Sequence, residues 1–379
     1  MEKEKTWYDK WYKVLLLAPI IITIIFLVYL GFFYSSHHTL FFKDVSLSGG
    51  TTITLNGNIN TATLEVELKK QFSSLDFRRL TDLATGKQIA FIIESPASPE
   101  QLKPAIEGIL GTNLTDENSS IEFTGPTLSS NFYTQLIKAV FISFILMALV
   151  IFFLFGDSLF FKVLSVILSI SMVKLSFSDI SYIGILVGFL GFAAFLYGLY
   201  LAKTKINYLY ISGAFLVLII SFIFPVYYLI FPIFLLLFSV YSIKSIPSIA
   251  VISCAFADII WPLAILDFFE VKISAAGIAA FLMLIGYSVD TDILLTTRAL
   301  KRSEVNLDAR IYRAFKTGTL MTLTALAAVL PAFFIVTGLP DSFRQIFLIL
   351  AIGLGADLIN TWLTNASLIK WYCDKKGIQ

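Results

Sequence analysis

Long apolar runs separated by short polar breaks fill most of the chain, and one extended polar segment interrupts them near the N-terminus. A run of about 20 mostly apolar residues is long enough to cross a bilayer as a helix. By this measure the sequence predicts ten membrane-spanning helices, of which the middle four are separated only by sparse polar breaks. The ten are Val14–Tyr34, Tyr133–Phe155, 158–177, 180–201, 207–224, 226–243, Pro247–Leu266, Ile273–Thr297, Thr317–Gly338 and Phe343–Lys370.

The polar segment, from about Ser36 to Asn131, carries the signals of a small mixed domain. Alternating apolar positions bounded by turn residues predict four strands. One helix is predicted after Asn60, and a second is opened by a capping Ser98 with Pro99 at the first helical position. The order β-α-β-β-α-β is that of the split, ferredoxin-like unit. The predicted strands are Thr51–Leu55, Phe77–Leu83, Gln88–Glu94 and Ser120–Thr124.

The predicted fold is a polytopic α-helical membrane protein with an extracytoplasmic α+β ferredoxin-like domain. A cleaved signal peptide is the competing interpretation of the first apolar run, but that run is long and no small-residue cleavage site follows it. The predicted parts are a cytoplasmic N-terminus with the first span (1–35), the ferredoxin-like domain (36–131), the second span (132–156), an inserted block of four helices (157–246), and four core spans with a cytoplasmic C-terminus (247–379).

The composition agrees with a membrane protein and narrows its chemistry. Hydrophobic residues make up 57% of the chain and charged residues 14%, whereas soluble domains carry about 25% charged residues. No basic domain with interleaved aromatic residues is present, so nucleic acid is not expected as a partner. The adjacent His37 and His38 and the isolated Cys254 and Cys373 predict neither a metal site nor a disulfide. No phosphate-binding loop or nucleophile motif occurs, so we expect neither an enzyme nor a cofactor.

Positive residues in short loops predict the orientation of the chain in the membrane. With an even number of spans, all four clusters of Lys and Arg fall on one side. Both termini are then cytoplasmic, the polar domain lies outside, and the protein is a multi-pass component of the cell membrane. The clusters are Lys3, Lys5, Lys10 and Lys13; Lys203 and Lys205; Lys301, Arg302, Arg310, Arg313 and Lys316; and Lys370, Lys375 and Lys376.

Acidic residues inside the predicted spans are the candidates for a functional site, because a charged side chain at the bilayer centre costs roughly 2.5–3.5 kcal/mol. One span carries both Asp290 and Asp292. These two positions differ by about 200° around a helix, so one points into the helix bundle while the other meets a partner or a polar cavity. Arg298 follows at the cytoplasmic end of the same span. The candidates for a proton relay are Asp290, Asp258, Asp357, Asp292 and Arg298.

Several motifs carry a resemblance to a known family. They are the stretches Ile285–Arg298, Ser46–Thr51, Gly125–Phe132, Pro247–Ile259 and Gly355–Trp362. Together they resemble SecF, the membrane partner of SecD in the SecD/SecF protein-export complex, and the archaeal form of that family fits best. The similarity covers about 1–155 and 247–379.

The resemblance implies an accessory subunit of the Sec protein translocase that acts with SecD to promote polypeptide export, coupled to the proton gradient. The implied partners are a SecD-type subunit, the Sec translocation channel, the translocating polypeptide and membrane lipids. SecD/SecF proteins belong to the resistance-nodulation-division superfamily, whose membrane acids relay protons, and the resemblance favours Asp290 as the inward-facing acid. Burial disfavours the charged form of a carboxylate, so an acid in this setting can take up and release a proton.

The sequence departs from the family pattern at two places, and two rival functions also remain. Ser46 stands where the family often has an acid, and residues 157–244 have no counterpart in the usual six-span layout. A stand-alone transporter of lipids or small molecules is the first rival function. The second is a structural scaffold, in which the acids only hydrogen-bond to neighbouring helices. The groups available for such bonds are those of Ser288, Thr324, Asn360 and Thr361.

Overall fold

The computed structural model describes residues 7–57, 59, 61–72, 74–81, 85–177, 237–238, 240–301, 306–335 and 341–378. Helix α1 (Trp7–Leu15) has a basic last turn, and α2 (Leu17–His37) follows it after one residue. His38 ends α2 in the left-handed conformation, and its N–H donates to the carbonyl oxygen of Tyr34 at 2.9 Å. The chain then enters its polar domain through the short helix α3 (Val45–Ser48).

The polar domain, called the sheet domain here (residues 50–124), is ferredoxin-like, as the sequence predicts. Its four strands form one antiparallel sheet in the order β2-β3-β1-β4, with the first and third strands adjacent at the centre. Its elements are β1 (Gly50–Asn56), α4 (Thr61–Gln71), β2 (Asp76–Thr81), β3 (Gln88–Ser95), α5 (Pro99–Leu110) and β4 (Ser119–Thr124).

Glycine is required where the chain enters the sheet. Gly49 and Gly50 have φ angles of 84° and 135°, which residues with a Cβ rarely adopt. A Cβ on Gly50 would lie 2.3 Å from the carbonyl oxygen of Ser95 on the neighbouring strand. These two residues therefore allow β1 to start directly beside β3.

Helices α4 and α5 cover one face of the sheet and form its core with β1 and β3. The core includes Ile53, Leu55, Leu64, Leu68, Phe91, Ile93, Leu102 and Ile106, all at most 1% exposed. Ser98 precedes α5 with Pro99 at its start, but the Ser98 side chain makes no capping hydrogen bond, so the predicted capping role of that side chain is wrong. The proposed cap Asn60 lies outside the described residues.

Within the described residues, six helices are long and apolar enough to cross a membrane. They match the six spans predicted outside the middle block. The predicted spans 180–201 and 207–224 lie outside the described residues, as does most of 226–243, and 158–177 is the helix α7 (Leu159–Phe177). The candidate spans are Trp11–His37, Pro126–Phe155, Ile246–Phe268, Ala275–Leu300, Leu307–Ile335 and Phe343–Lys376.

The membrane helices after the sheet domain form a bundle. They are α6 (Pro126–Phe155), α8 (Ile246–Phe268), α9 (Ala275–Leu300), α10 (Leu307–Ile335), α11 (Asp341–Asn360) and α12 (Ala366–Lys376). Helix α8 is central and packs against α2, α6, α9 and α11. Between α11 and α12 the chain makes a π-helical turn, Thr361–Asn365.

Helix α10 begins ten residues before the predicted start of its span at Thr317, so the predicted loop 298–316 is wrong in most of its length. Its polar first turns are amphipathic rather than loop-like. Leu307, Ile311 and Ala314 are buried in a cluster with residues of α9 and α12, while the guanidinium of Arg310 donates to the carbonyl oxygen of Lys301. Packing against these helices therefore continues α10 beyond the apolar segment.

Candidate functional site

Three carboxyl groups meet in the interior of the membrane bundle. Asp258 of α8 is 1% exposed, and Asp292 of α9 and Asp357 of α11 are fully buried. The helices α8, α9 and α11 pack pairwise against one another, which brings the three side chains to one place. We call these three residues, with the hydroxyl and amide groups that bond them, the acid cluster.

Asp258 is bonded from two neighbouring helices. The Ser288 hydroxyl on α9 donates to its Oδ2, and Nδ2 of Asn360 on α11 donates to its Oδ1 at 2.7 Å. The hydrogen bond of Ser288 therefore goes to the carboxyl group of α8.

Thr361 links the other two acids. Its Oγ1 lies 2.9 Å from Oδ1 of Asp292 and 3.1 Å from Oδ1 of Asp357. The cluster thus contains two hydrogen-bonded groups of side chains. One joins Asp357, Thr361 and Asp292, and the other joins Ser288, Asp258 and Asn360.

The π-helical turn places two of the polar groups around Asp292. Thr361 opens the turn and Asn365 closes it, and Nδ2 of Asn365 donates to Oδ1 of Asp292 at 2.8 Å. Asn365 also contacts the hydroxyl of Thr296 at 3.3 Å. Single-turn π-helices inside α-helices are found frequently at functional sites.

None of the ion pairs within the described parts of the chain includes Asp258, Asp292 or Asp357. An isolated buried carboxylate is strongly unfavourable, and carboxylates that share a site cannot all ionise. No Lys or Arg of the described residues balances the charge of the acid cluster, which favours protonated carboxyl groups there.

The geometry of Thr361 supports this conclusion independently. A threonine hydroxyl has one hydrogen, so it can donate to only one of two carboxyl groups at a time. For both contacts of Thr361 to be hydrogen bonds, the other carboxyl group must carry a proton and donate it to Oγ1. Two buried acceptors, Oδ2 of Asp292 and Oδ1 of Asn360, have no partner among the described residues, so the cluster has unused bonding capacity.

The prediction that Asp290 is the inward-facing acid is wrong. Asp290 lies on the exposed face of α9, and Asp292 is the buried one. The two acids lie on different faces of α9, as predicted, but the sequence pattern does not reveal which face meets α8 and α11. Exposed positions form a stripe along α9, called the open stripe here: Ala279, Met283, Gly286, Tyr287 and Asp290.

Arg298 lies apart from the acid cluster at the end of α9. Its Nη1 donates to the carbonyl oxygen of Arg313 at 3.2 Å and to the hydroxyl of Thr317 at 2.9 Å. In this conformation it joins α9 to α10. The predicted relay candidates therefore divide into three clustered acids, an exposed acid and an arginine bonded to α10.

Two members of the cluster were not among the predicted partners. Thr322 of α10 lies 3.4 Å from Oδ2 of Asp357, and Asn365 bonds Asp292. Thr324, which the sequence offered as a partner, is exposed and bonds the carbonyl oxygen of Met321 on its own helix. The sequence signal that could have found Thr322 and Asn365 is a polar side chain inside an apolar run. Many lipid-facing positions show the same signal, so it does not single out these two residues. Among the described residues, no group of His, Cys, Asp and Glu is arranged to hold a metal ion.

Comparison with known proteins shows which family this chain resembles. Residues 198–375 match the family described as "Protein export membrane protein SecD/SecF, C-terminal". The resemblance seen in the sequence is confirmed. The SecD/SecF match includes 198–244, a part of the segment to which the sequence pattern assigned no counterpart.

Curated relatives carry the name "Protein-export membrane protein SecF". That of Methanolacinia petrolearia is 49% identical over 133 residues, covering 35% of this chain and 47% of the relative. That of Methanocaldococcus jannaschii is 45% identical over 130 residues, covering 34% and 46%. The chain spans just under half the length of the SecF relatives that it matches.

A solved structure shares the fold. It is the crystal structure of SecDF, a translocon-associated membrane protein from Thermus thermophilus, with a TM-score of 0.54 at 12% identity. The likeness covers 98% of this chain and 39% of the SecDF chain. At this identity it shows the fold alone, namely membrane helices with a ferredoxin-like sheet domain.

Proposed function

We propose that this chain is an accessory subunit of the Sec protein translocase that promotes polypeptide export across the cell membrane and is driven by the proton gradient. It acts without enzymatic chemistry of its own. The observation that carries the proposal is the acid cluster, in which the hydroxyl of Thr361 bridges two of three buried carboxyl groups. The SecF names of the sequence relatives supply the process that this cluster would serve.

A chain of carboxyl and hydroxyl groups is suited to moving protons. Each hydroxyl accepts a hydrogen bond on one side and donates one on the other. Thr361 stands between the carboxyl groups of Asp292 and Asp357, so a proton can pass between them without a charge leaving the cluster. Each proton that crosses the membrane is worth about 2.3 kcal/mol per 100 mV, which can do work on a polypeptide.

A SecD-type subunit is the partner that we propose for the open stripe. Asp290 is exposed on α9, and an acid facing lipid at this depth would be costly. Gly286, one turn away, has no atom within 4 Å of the position of a Cβ, so a helix can approach the backbone there. A membrane helix that offers a donor at the depth of Asp290 would relieve this cost. Arg298 would tie the same face to α10.

The remaining assignments follow from this role. We propose cytoplasmic termini, with the sheet domain outside, where it meets the translocating polypeptide next to the translocation channel. The Lys and Arg clusters support this orientation by the positive-inside rule. Membrane lipids cover the faces of the bundle that no partner covers.

The test is gradient-driven export by the reconstituted complex. Lipid vesicles that contain the complex with the Asp292→Asn variant are given an imposed proton gradient. The time needed to complete export of a polypeptide is then measured. We expect at least a tenfold loss of the gradient-stimulated rate, because asparagine keeps the shape but cannot carry the proton. The matched control is Asp116→Asn on the exposed surface of the sheet domain. An unchanged stimulation in Asp292→Asn would contradict proton coupling.

Copurification separates the rival functions. Recovery of the chain with a SecD-type subunit and channel subunits supports the translocase, whereas a pure homodimer supports a stand-alone transporter. Gly286→Leu on the open stripe is expected to reduce recovery of SecD. Gly355→Leu on α11, where a Cβ also meets no atom within 4 Å, serves as its control. If the complex forms normally and no variant of the acid cluster changes the gradient-stimulated export rate, the result supports the structural scaffold.

A further inference from the structure

The loop between α8 and α9, residues 269–274, joins the membrane bundle to the sheet domain. It pairs in parallel with the chain that leaves α2: the N–H of Ile273 donates to the carbonyl oxygen of Phe42 at 2.7 Å, and the N–H of Asp44 donates to that of Ile273 at 3.1 Å. Ile273 is fully buried in a cluster that also contains Phe281 of α9. The loop is therefore bonded to the chain that leads into the sheet domain and packed into the membrane bundle.

Gln345, near the start of α11, holds this loop from the membrane side. Its Nε2 donates to the carbonyl oxygen of Lys272, and its Oε1 accepts from the N–H and the hydroxyl of Ser274 at 2.8 and 2.5 Å. Ser274 is in turn the N-cap of α9, since its hydroxyl accepts from the N–H of Gly277 at 3.2 Å. A Cβ on Gly277 would lie 2.6 Å from Oε1 of Gln345. One side chain thus fixes the beginning of α9 to α11.

Lys272 holds the loop from the side of the sheet. Its Nζ lies 2.5 Å from Oδ2 of Asp76 on β2 and 3.4 Å from Oε2 of Glu94 on β3. Arg78 also pairs with Glu94, which is only 5% exposed, and Asp44 completes the charged groups around it. The backbone of Lys272 is therefore bonded to α11 while its side chain is bonded to the sheet.

The two helices held at this junction carry two of the three carboxyl groups of the acid cluster. α9 contributes Ser288 and Asp292, and α11 contributes Asp357 and leads into the turn that begins with Thr361. We propose that Lys272 and Gln345 are positioning residues that transmit a displacement of the sheet domain to α9 and α11, and so change the packing around the acid cluster. The purpose of this link rests on the proposed function, but its test does not.

The native Cys254 reports on the packing of the acid cluster. It is fully buried, and its thiol lies 3.3 Å from the carbonyl oxygen of Asn360. Replacing the other cysteine by Cys373→Ser makes it the sole thiol of the chain. The rate of its modification by a small maleimide in the full chain, held in lipid nanodiscs, then measures how often the cluster opens.

In this background, Gln345→Ala is expected to raise the labelling rate of Cys254 about tenfold, because three hydrogen bonds at the junction are lost. The matched control is Gln101→Ala, an exposed glutamine of α5, which is expected to label at the parent rate. Lys272→Met keeps the backbone carbonyl and removes both ion pairs, and is expected to raise the rate severalfold. It also decides the question if Gln345→Ala does not fold.

Parent-like labelling of a folded Gln345→Ala and of Lys272→Met would overturn the proposal, as would equally fast labelling of Gln101→Ala. If only Lys272→Met labels at the parent rate, transmission from the sheet is refuted even though Gln345 holds the helices. Because the readout needs neither a partner nor a gradient, a failed export assay leaves it intact. A failed labelling experiment likewise leaves the export role standing.

Discussion

The buried Glu94 of the sheet domain and the three acids of the acid cluster have opposite surroundings. Glu94, in the sheet domain, is bonded to two cations, Arg78 and Lys272. Asp258, Asp292 and Asp357, in the membrane bundle, are bonded to hydroxyl and amide groups.

The difference teaches how each region is neutralised. Burial, reinforced by Asp44, raises the pKa of Glu94 from 4.5 to about 7, although Arg78 and Lys272 act in the opposite direction. Two cations are therefore not enough to keep a carboxylate of this domain at its ordinary pKa. In the bundle, three carboxyl groups share one site without a Lys or Arg among the described residues, which favours neutralisation by protons. On the proposed function, a proton gradient acts on this site.

The largest expected effect comes from Thr361→Val, which removes the hydroxyl between two acids and keeps the side-chain shape. We expect the gradient-stimulated part of export to be lost and the free energy of unfolding to fall by about 2 kcal/mol, since buried carboxyl oxygens lose their donor. Export timing and thermal unfolding in detergent measure the two effects.

The control for this prediction is Thr324→Val on α10. Its hydroxyl is exposed and bonds only the backbone of its own helix, at 2.8 Å from the carbonyl oxygen of Met321. It should change neither export nor stability. Full gradient stimulation in a folded Thr361→Val would show that the Thr361 hydroxyl is not part of the proton route.

A second effect is expected at Glu94, and its sign follows from the raised pKa. The folded protein binds the proton of Glu94 more tightly than the unfolded chain does, because its pKa is about 7 rather than 4.5. The resulting stability is fully present below about pH 4.5 and is lost as the pH rises through 7. Glu94→Gln should remove about 3 kcal/mol of this pH dependence.

Hydrogen exchange of the β3 amides in the full chain, corrected for the intrinsic rate at each pH, measures this dependence. Glu67→Gln is the control, because Glu67 is exposed and pairs with Lys70 on the helix surface. If the exchange of β3 in Glu94→Gln keeps the pH dependence of the parent, the contrast between the two regions does not rest on Glu94.

The sheet domain could be predicted from the sequence because its signals are local. Period-two alternation, the turn around Gly86 and Pro99 at a helix start give the order of elements, and that order has one common sheet topology. The predicted side-chain cap at Ser98 is wrong. Whether a side chain bonds its helix depends on a rotamer that the sequence does not specify.

The acid cluster could be predicted only in part. Acids within apolar runs gave Asp258, Asp292 and Asp357 as candidates, but the preference for Asp290 was wrong. Choosing between Asp290 and Asp292 requires the rotation of α9 against its neighbours, which depends on contacts distant in sequence. The π-helical turn at Thr361 and the junction at Lys272 have no local signal, because both arise from tertiary packing.

The central claim is that the acid cluster carries protons instead of charge, and infrared spectroscopy tests it directly. Protonated carboxyl groups give a carbonyl stretching band that carboxylates lack and that shifts in heavy water. The chain is studied near neutral pH in a background with Glu94→Gln and Asp267→Asn, so that these two other buried carboxyl groups do not contribute. We predict such a band, and its loss when Asp258, Asp292 and Asp357 are all changed to Asn. A band that the triple variant leaves unchanged, or no band in the parent, would contradict the claim.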